Sequence, residues 1–302
     1  MKKHFCLLLL MLPLTLVGQT PISGVINRYA AVNNINYCSS TLSVNNAAGF
    51  APGDRVLIIQ MKGAIINSSG TAAFGSITNL GAAGKYEWAT VQTVQLNNIR
   101  VQFALANNYD ITGNVQMVWV PRYTDAVITG QLSAPAWNGS IGGVLAMQVS
   151  GTLNFQEDID LSAGGFRGGI ADINAVNGCS WLIPQNGYFY PLNNWRGAAK
   201  GEGIAVFLNG AESGRGPQAN GGGGGNDHNA GGGGGGNSSA GGQGGTNNEP
   251  STFGCSGQFP GLGGRAVALD GTHLIMGGGG GAGHENNDLA SPGARGGGIV
   301  LI

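Results

Sequence analysis

ANGGGGGNDHNAGGGGGGNSSAGGQGGT, residues 219–246, holds two of the three long glycine runs in a chain of 302 residues. Around it, from 214 to 298, 33 of 85 residues are glycine, with runs at 221–225, 231–236 and 277–281. Glycine has no apolar side chain to bury and loses more backbone entropy on ordering than any other residue. Order here must therefore come from backbone hydrogen bonds and close main-chain packing. A flexible linker is the plain alternative. Against it, GGGGGNDHNA (221–230) and GGGGGAGHEN (277–286) each place a histidine third after a five-glycine run, with asparagine close behind. That repeated spacing predicts ordered polyglycine, either extended left-handed strands packed side by side or glycine-rich loops laid against a β-solenoid.

Working outward, the N-terminus reads as a secretory signal peptide over 1–18. Lys2 and Lys3 precede an apolar run from 5 to 16, and Leu16-Val17-Gly18 is a tolerable cleavage site. Pro13 breaks the run, and no later segment has the roughly 20 apolar residues of a membrane helix. The expected location is secreted or cell-surface. A net charge of −1 with 10% charged residues argues against nucleic acid, which needs clustered Lys and Arg. In an oxidising compartment Cys179 (NGCS) and Cys255 (FGCS), both in glycine-rich loops, are the expected disulfide, with Cys38 left over. No Cys/His spacing suits zinc.

Residues 19–130 read as a small β-barrel or sandwich. Pro52-Gly53-Asp54 marks a turn before residues 55–61, RVLIIQM, which are apolar on both faces and belong in a core. Strands at 87–96 and 99–105 meet at Asn97-Asn98, a two-residue hairpin signal. From Gly142 a different rhythm begins. Leu145, Met147, Val149, Leu153, Phe155, Ile159 and Leu161 alternate with polar residues, which predicts inward-facing rungs of a right-handed parallel β-solenoid over 131–302. Residues 203–208 and 298–302 look like further rungs, and the glycine tracts (214–298) are read as ordered insertions. The fold class is therefore all-β. Because residues 299–302 are apolar and follow glycines as Val144-Leu145 follow Gly142-Gly143, the reading frame is expected to be truncated.

Certain segments carry a resemblance: GFAPGDRVLIIQMKG (49–63), AWNG (136–139), GFRGG (165–169), KGEG (200–203) and ANGGGGG (219–225). Together they resemble the N-terminal region of glycine-rich secreted surface proteins of gliding, type IX secreting bacteria. The resemblance implies a cell-surface location, with further repeats and a C-terminal sorting domain common in that group. As material, the glycine tracts also resemble the polyglycine sandwiches of phage tail-tip adhesins.

Site candidates are few. Glu157, Asp158 and Asp160 form the densest carboxylate group, with Asp158 and Asp160 about 7 Å apart on one strand face. That geometry permits glycosidase chemistry or a calcium site, a solvated face being the simpler reading. His228 and His284, flanked by Asn and acids, suggest either a shared metal or glycan site, or residues that cap glycine runs by bonding backbone groups. Trp181, Tyr188, Phe189, Tyr190 and Trp195 offer a sugar-stacking or partner surface, or packing over the solenoid end. No GxSxG, HExxH, P-loop or dinucleotide motif stands in a credible context. The sequence thus points to a secreted structural or adhesive protein without catalysis or cofactor, calcium being the ion considered, with an extracellular glycan or cell-surface partner. A carbohydrate-binding or polysaccharide-degrading β-helix is the alternative, and ice or mineral binding a third.

Overall fold

The computed structural model describes residues 18–171, 173, 186–226, 228–246, 258–268, 270–285 and 288–302. The segment 1–17, Cys179, Trp181 and Cys255 lie outside the described residues, and with them the expected disulfide. In chain order the strands are β1 (Thr20–Val25), β2 (Arg28–Asn36), β3 (Thr41–Val44), β4 (Arg55–Gln60), β5 (Ile65–Ile66), β6 (Ile77–Asn79), β7 (Tyr86–Gln95) and β8 (Asn98–Val101). There follow β9 (Val115–Trp119), β10 (Arg122–Tyr123), β11 (Ala126–Ser133), β12 (Val144–Ala146), β13 (Gln148–Val149), β14 (Leu153–Phe155) and β15 (Ile299–Leu301). The fold is all-β. Among the described residues, no helix is long and apolar enough to cross a membrane.

The doubly apolar run 55–60 becomes β4, and its four aliphatic residues are fully buried because two cores need it. Val56 and Ile58 point into a closed antiparallel barrel, ordered β2-β3-β8-β7-β4-β9, where they meet Val32, Leu42, Ile99 and Met117. Leu57 and Ile59 face outward and join Val118, Trp137, Phe166, Ile204 and Met276 in a second core. Burying each such side chain contributes about 1.5–3 kcal/mol. Closure of the barrel leaves it no free strand edge.

The β7–β8 hairpin turns one residue earlier than the sequence suggests. Gln95 pairs with Asn98, so Leu96 and Asn97 form the loop, with Leu96 at φ 52°. This register puts Ile99 and Val101 inside the barrel, and a one-residue slip would turn them out. Asn98 stays in the strand, where its side chain accepts a 2.7 Å bond from Ser43 Oγ.

Beside the barrel the chain stacks on itself in parallel. Arg122 pairs with Gln148, Ala126 with Leu153 and Leu132 with Ile159, an offset of 26 or 27 residues, while β1 lies on the other side of β11. β1 and the start of β11, inside the 19–130 segment, thus pair with each other, and β11 with β14, outside the barrel. β12 pairs with β15 in parallel.

The expected inward row holds only in part. Leu145, Met147 and Leu161 are buried in a third core, Val149, Leu153 and Ile159 are half-buried, and Phe155 is 62% exposed. Phe155 lies on β14, the edge of its sheet, with no strand among the described residues beyond to cover it. A charge placed there would disrupt no core. Val144 and Ala146 are buried as deeply as Leu145 and Met147, since β12 runs between the second core and the third. Residues 203–208 form no strand. Ile204 is buried with its carbonyl accepting from Gly63 and Ala64, while Val206 and Leu208 are exposed.

The glycine region is a bundle of extended segments bonded through their backbones. Every N–H from 221 to 226 donates: Gly222 and Gly225 to Gly279 and Ala282, Gly223 and Asn226 to Leu262 and Phe259, Gly221 and Gly224 to Gln218 and Gly214. The partner changes with each residue and returns every third, which is the rotation of a helix with three residues per turn. Residues 277–284 behave alike, donating in turn to segments 291–297, 230–236 and 199–202. No glycine of the three runs has a left-handed φ. They are glycines because neighbouring backbones lie where a Cβ would be. In hydrogen exchange, amides of 221–226 and 277–284 should therefore be among the slowest, and those of Gly242 and Gly245, which donate to no group among the described residues, fast. Exchange of the first set within seconds at neutral pH would refute the packing.

Candidate functional site

Lys200-Gly201-Glu202 sets two charges into this sparsely charged bundle, and both are buried. A Cβ at Gly201 would strike the Gly279 carbonyl, and one at Gly203 that of Gln218, so close packing on both sides fixes where Glu202 stands. Its Oε1 accepts from Lys62 Nζ (3.1 Å) and Arg167 Nη2 (2.6 Å). Its Oε2 accepts from Trp137 Nε1 (3.2 Å) and the Arg167 backbone N–H (3.1 Å). Lys62 follows barrel strand β4, while Arg167 and Glu202 belong to the glycine bundle, so one carboxylate ties the two together.

Burial alone would push the Glu202 carboxyl up. The Arg167 hydrogen bond, Lys62 and the Arg167 backbone N–H outweigh it and hold the carboxyl at about 2. For Lys62 burial prevails over Glu202 and pushes the amine down. The two shifts pull in opposite senses on one ion pair. The ionised carboxylate is the firmer conclusion, because Arg167 does not deprotonate. With four donors on one carboxylate, this is a neutralised clamp, and Glu202 is not free to relay protons.

Beside it opens a cavity of about 260 Å³ lined by Arg167, Ile170, Leu192, Lys200, Phe207 and Glu212 among others. The Arg167 side chain is half-exposed there. Lys200 is 3% exposed, with Nζ 3.9 Å over the Phe74 ring and no hydrogen-bond acceptor among the described residues. Burial lowers its amine to about 7, against a small upward pull from Glu212. Phe74 in turn stacks on Phe189 at 5.4 Å. Lys200→Met should raise thermal stability at pH 6 by about 1–3 kcal/mol, since it replaces a buried cation lacking a counter-ion by an apolar side chain. Lys200 has a folded pKa below its unfolded one, so the wild type gains stability as pH rises from about 7 towards 10.5. The advantage of the variant should shrink across that window, and melting curves at pH 6 and 9 check it.

No protein-family model matches this chain, and no curated protein does. Among solved structures it is similar to the Gp54 tailspike of Acinetobacter baumannii bacteriophage AP22 in complex with A. baumannii capsular saccharide: 14% identity, TM-score 0.22, covering 43% of this chain and 24% of that one. It is also similar to the tailspike protein gp49 of Pseudomonas phage LKA1: 14% identity, TM-score 0.21, covering 46% and 23%. The chain thus spans about a quarter of each tailspike's length.

The residues singled out in the sequence lie elsewhere. Glu157, Asp158 and Asp160 are exposed, and Asp160 Oδ1 accepts from Ser162 N–H at 2.7 Å, a turn contact that holds its carboxyl below the usual range. His228 and His284 do come together, edge to face with centroids 5.7 Å apart. Both Nδ1 atoms approach the Glu285 carbonyl (2.9 and 3.2 Å), and His284 Nε2 lies 2.7 Å from the Trp195 carbonyl. Among the described residues no group of three or more His, Cys, Asp or Glu is placed to hold a metal. Tyr188, Tyr190 and Trp195 are half-buried. Arg215 sits 5.7 Å from the Tyr188 ring, Tyr190 Oη accepts from Gly187 N–H, and Arg196 sits 4.7 Å from the Trp195 ring. Cys38 is exposed, a free thiol. Sequence reading missed Glu202, whose partner Lys62 is 140 residues away. The usable signal was the rarity of charge: an acid and a base inside a glycine segment that must pack tightly.

Proposed function

We propose that this chain is a secreted, cell-surface structural or adhesive protein with no catalytic activity of its own, of the kind of the glycine-rich surface proteins its sequence resembles. The observation that carries the reading is the glycine bundle. Every N–H of its inner segments 221–226 and 277–284 is bonded to neighbouring backbone, and a neutralised carboxylate pins the bundle to the barrel. Such a block resists bending and presents backbone and amides to solvent, which suits a rigid extracellular support. The parallel stack from 122 to 159 supports reading this part as the start of a right-handed β-solenoid. The partner class is an extracellular glycan or another cell-surface component.

Two measurements test this. Antibodies to the barrel should label intact cells without permeabilisation, and the purified mature chain should release no reducing ends from a polysaccharide panel. Labelling only after lysis removes the surface assignment. Release of reducing ends, lost in Asp158→Asn or Asp160→Asn, supports a polysaccharide-degrading protein instead. The cavity beside Arg167, with open guanidinium N–H groups and apolar walls, favours carbohydrate binding as the second reading. Saturable glycan binding lost in Arg167→Ala is its signature.

A further inference from the structure

The glycine bundle carries on one side a groove of about 600 Å³ between the segments 230–236 and 291–298, floored by 277–284. The threefold rotation of each segment fixes what faces it. In 230–236, Gly231 and Gly234 donate to Gly245 and Gly242, and Gly233 and Gly236 to Gly223 and Asn220. Gly232 and Gly235 donate to no group among the described residues, and the rotation turns their N–H groups to the remaining side, over the groove. In the floor, the carbonyls of Gly277 and Gly280 accept from Phe166 and Gly169, and those of Gly279 and Ala282 from Gly222 and Gly225. The carbonyls of Gly278 and Gly281 accept from none of the described residues and point up. In the far wall Gly293 and Gly296 donate to Gly169 and Phe166, leaving the N–H groups of Ala294 and Gly297 facing in.

Four donors and two acceptors thus line the groove, paired at i and i+3 on each segment. One turn of three residues spans about 9.3 Å, the repeat of a further extended strand of the same kind. Such a strand would give N–H groups to Gly278 and Gly281 and take N–H groups from both walls. We infer that the groove binds an extended run of at least six glycines from a separate polypeptide, added to the bundle as one more strand. Where the entering strand turns to the floor or a wall, a Cβ on it would meet backbone, as it would at Gly222, Gly235 or Gly278. A second copy of this chain offers no such strand among its described residues. Every N–H of its runs 221–226 and 277–284 is bonded within its own bundle, 231–236 is held as a wall of its own groove, and the outer segment 240–246 presents exposed Ala240, Gln243 and Thr246 at every third residue.

The test is fluorescence anisotropy of the mature protein with a labelled peptide of eight consecutive glycines carrying a pair of lysines at each end. Two controls keep the charged ends and replace the eight glycines by alanine, which adds a Cβ, or by sarcosine, which removes the N–H. Saturable binding of the glycine peptide is expected, at least about tenfold weaker for either control. Gly280→Val should abolish it, because a Cβ there projects into the groove 3.4 Å from the Gly233 carbonyl oxygen without striking backbone. No binding at millimolar peptide, equal binding of a control, or unchanged binding by Gly280→Val each overturns the proposal. Displacement of the peptide by a neutral oligosaccharide, or self-association of the protein abolished by Gly280→Val, also overturns it in favour of a glycan or a second copy.

Discussion

Gly279→Val is expected to lower stability by about 3 kcal/mol, the upper end for overpacking, while Gly280→Val one residue later leaves it within about 1 kcal/mol of wild type. Both glycines lie outside the left-handed region, so valine meets no backbone strain at either. Both substitutions also reduce the freedom of the unfolded chain by the same amount, which favours folding slightly. What differs is the neighbour. A Cβ at 279 runs into the Arg167 carbonyl oxygen, which is backbone and held by the Glu202 N–H. A Cβ at 280 meets the Gly233 carbonyl oxygen at 3.4 Å and the Ala294 nitrogen at 3.5 Å, ordinary contacts at the mouth of a groove. The melting temperature should therefore fall by about 6–12 °C in the first variant and barely move in the second. Equal effects would mean that the segments do not pack as closely as their backbone bonding requires.

The two periods in the sequence were legible to different depths. RVLIIQ at 55–60 announced burial on both faces, and β4 has it, one face in the barrel and one against the glycine bundle. The repeat of glycine run plus histidine announced order, and the two runs do lie side by side with His228 beside His284. The period of two from 144 to 161 showed which residues alternate but not what covers them. Phe155 is exposed because its strand is an edge, and no alternation reveals an edge. The Asn97-Asn98 pair named the hairpin and missed its register, since the barrel's demand for Ile99 inside outweighs asparagine's tolerance of positive φ. Glu202 was illegible for another reason. Its four donors come from Lys62, Trp137 and Arg167, three separate stretches, and only the folded bundle brings them to one carboxylate.

That carboxylate yields the second large effect. Glu202→Gln keeps the shape and removes the charge, leaving Lys62, 6% exposed, without its anion. Breaking a buried pair from one side costs about 3–5 kcal/mol, because the remaining charge stays desolvated. The loss should depend on pH with a definite sign. Glu202 has a folded pKa of about 2, below its ordinary value of 4.5, so its contribution is full above about pH 5 and disappears as pH falls through that window. The wild type should lose stability between pH 4.5 and 2 more steeply than the variant, and the two should converge near pH 2. Urea unfolding at pH 7, 4 and 2.5 measures this. A pairing test separates charge from packing: Lys62→Met in the Glu202→Gln background removes the stranded cation and should recover part of the loss, whereas Lys62→Met alone should not stabilise. If Glu202→Gln unfolds within about 1 kcal/mol of wild type at pH 7, or keeps the wild-type acid profile, the carboxylate does not hold the barrel to the glycine bundle. The junction would then rest on the apolar contacts of Leu57, Ile59, Trp137 and Phe166 alone.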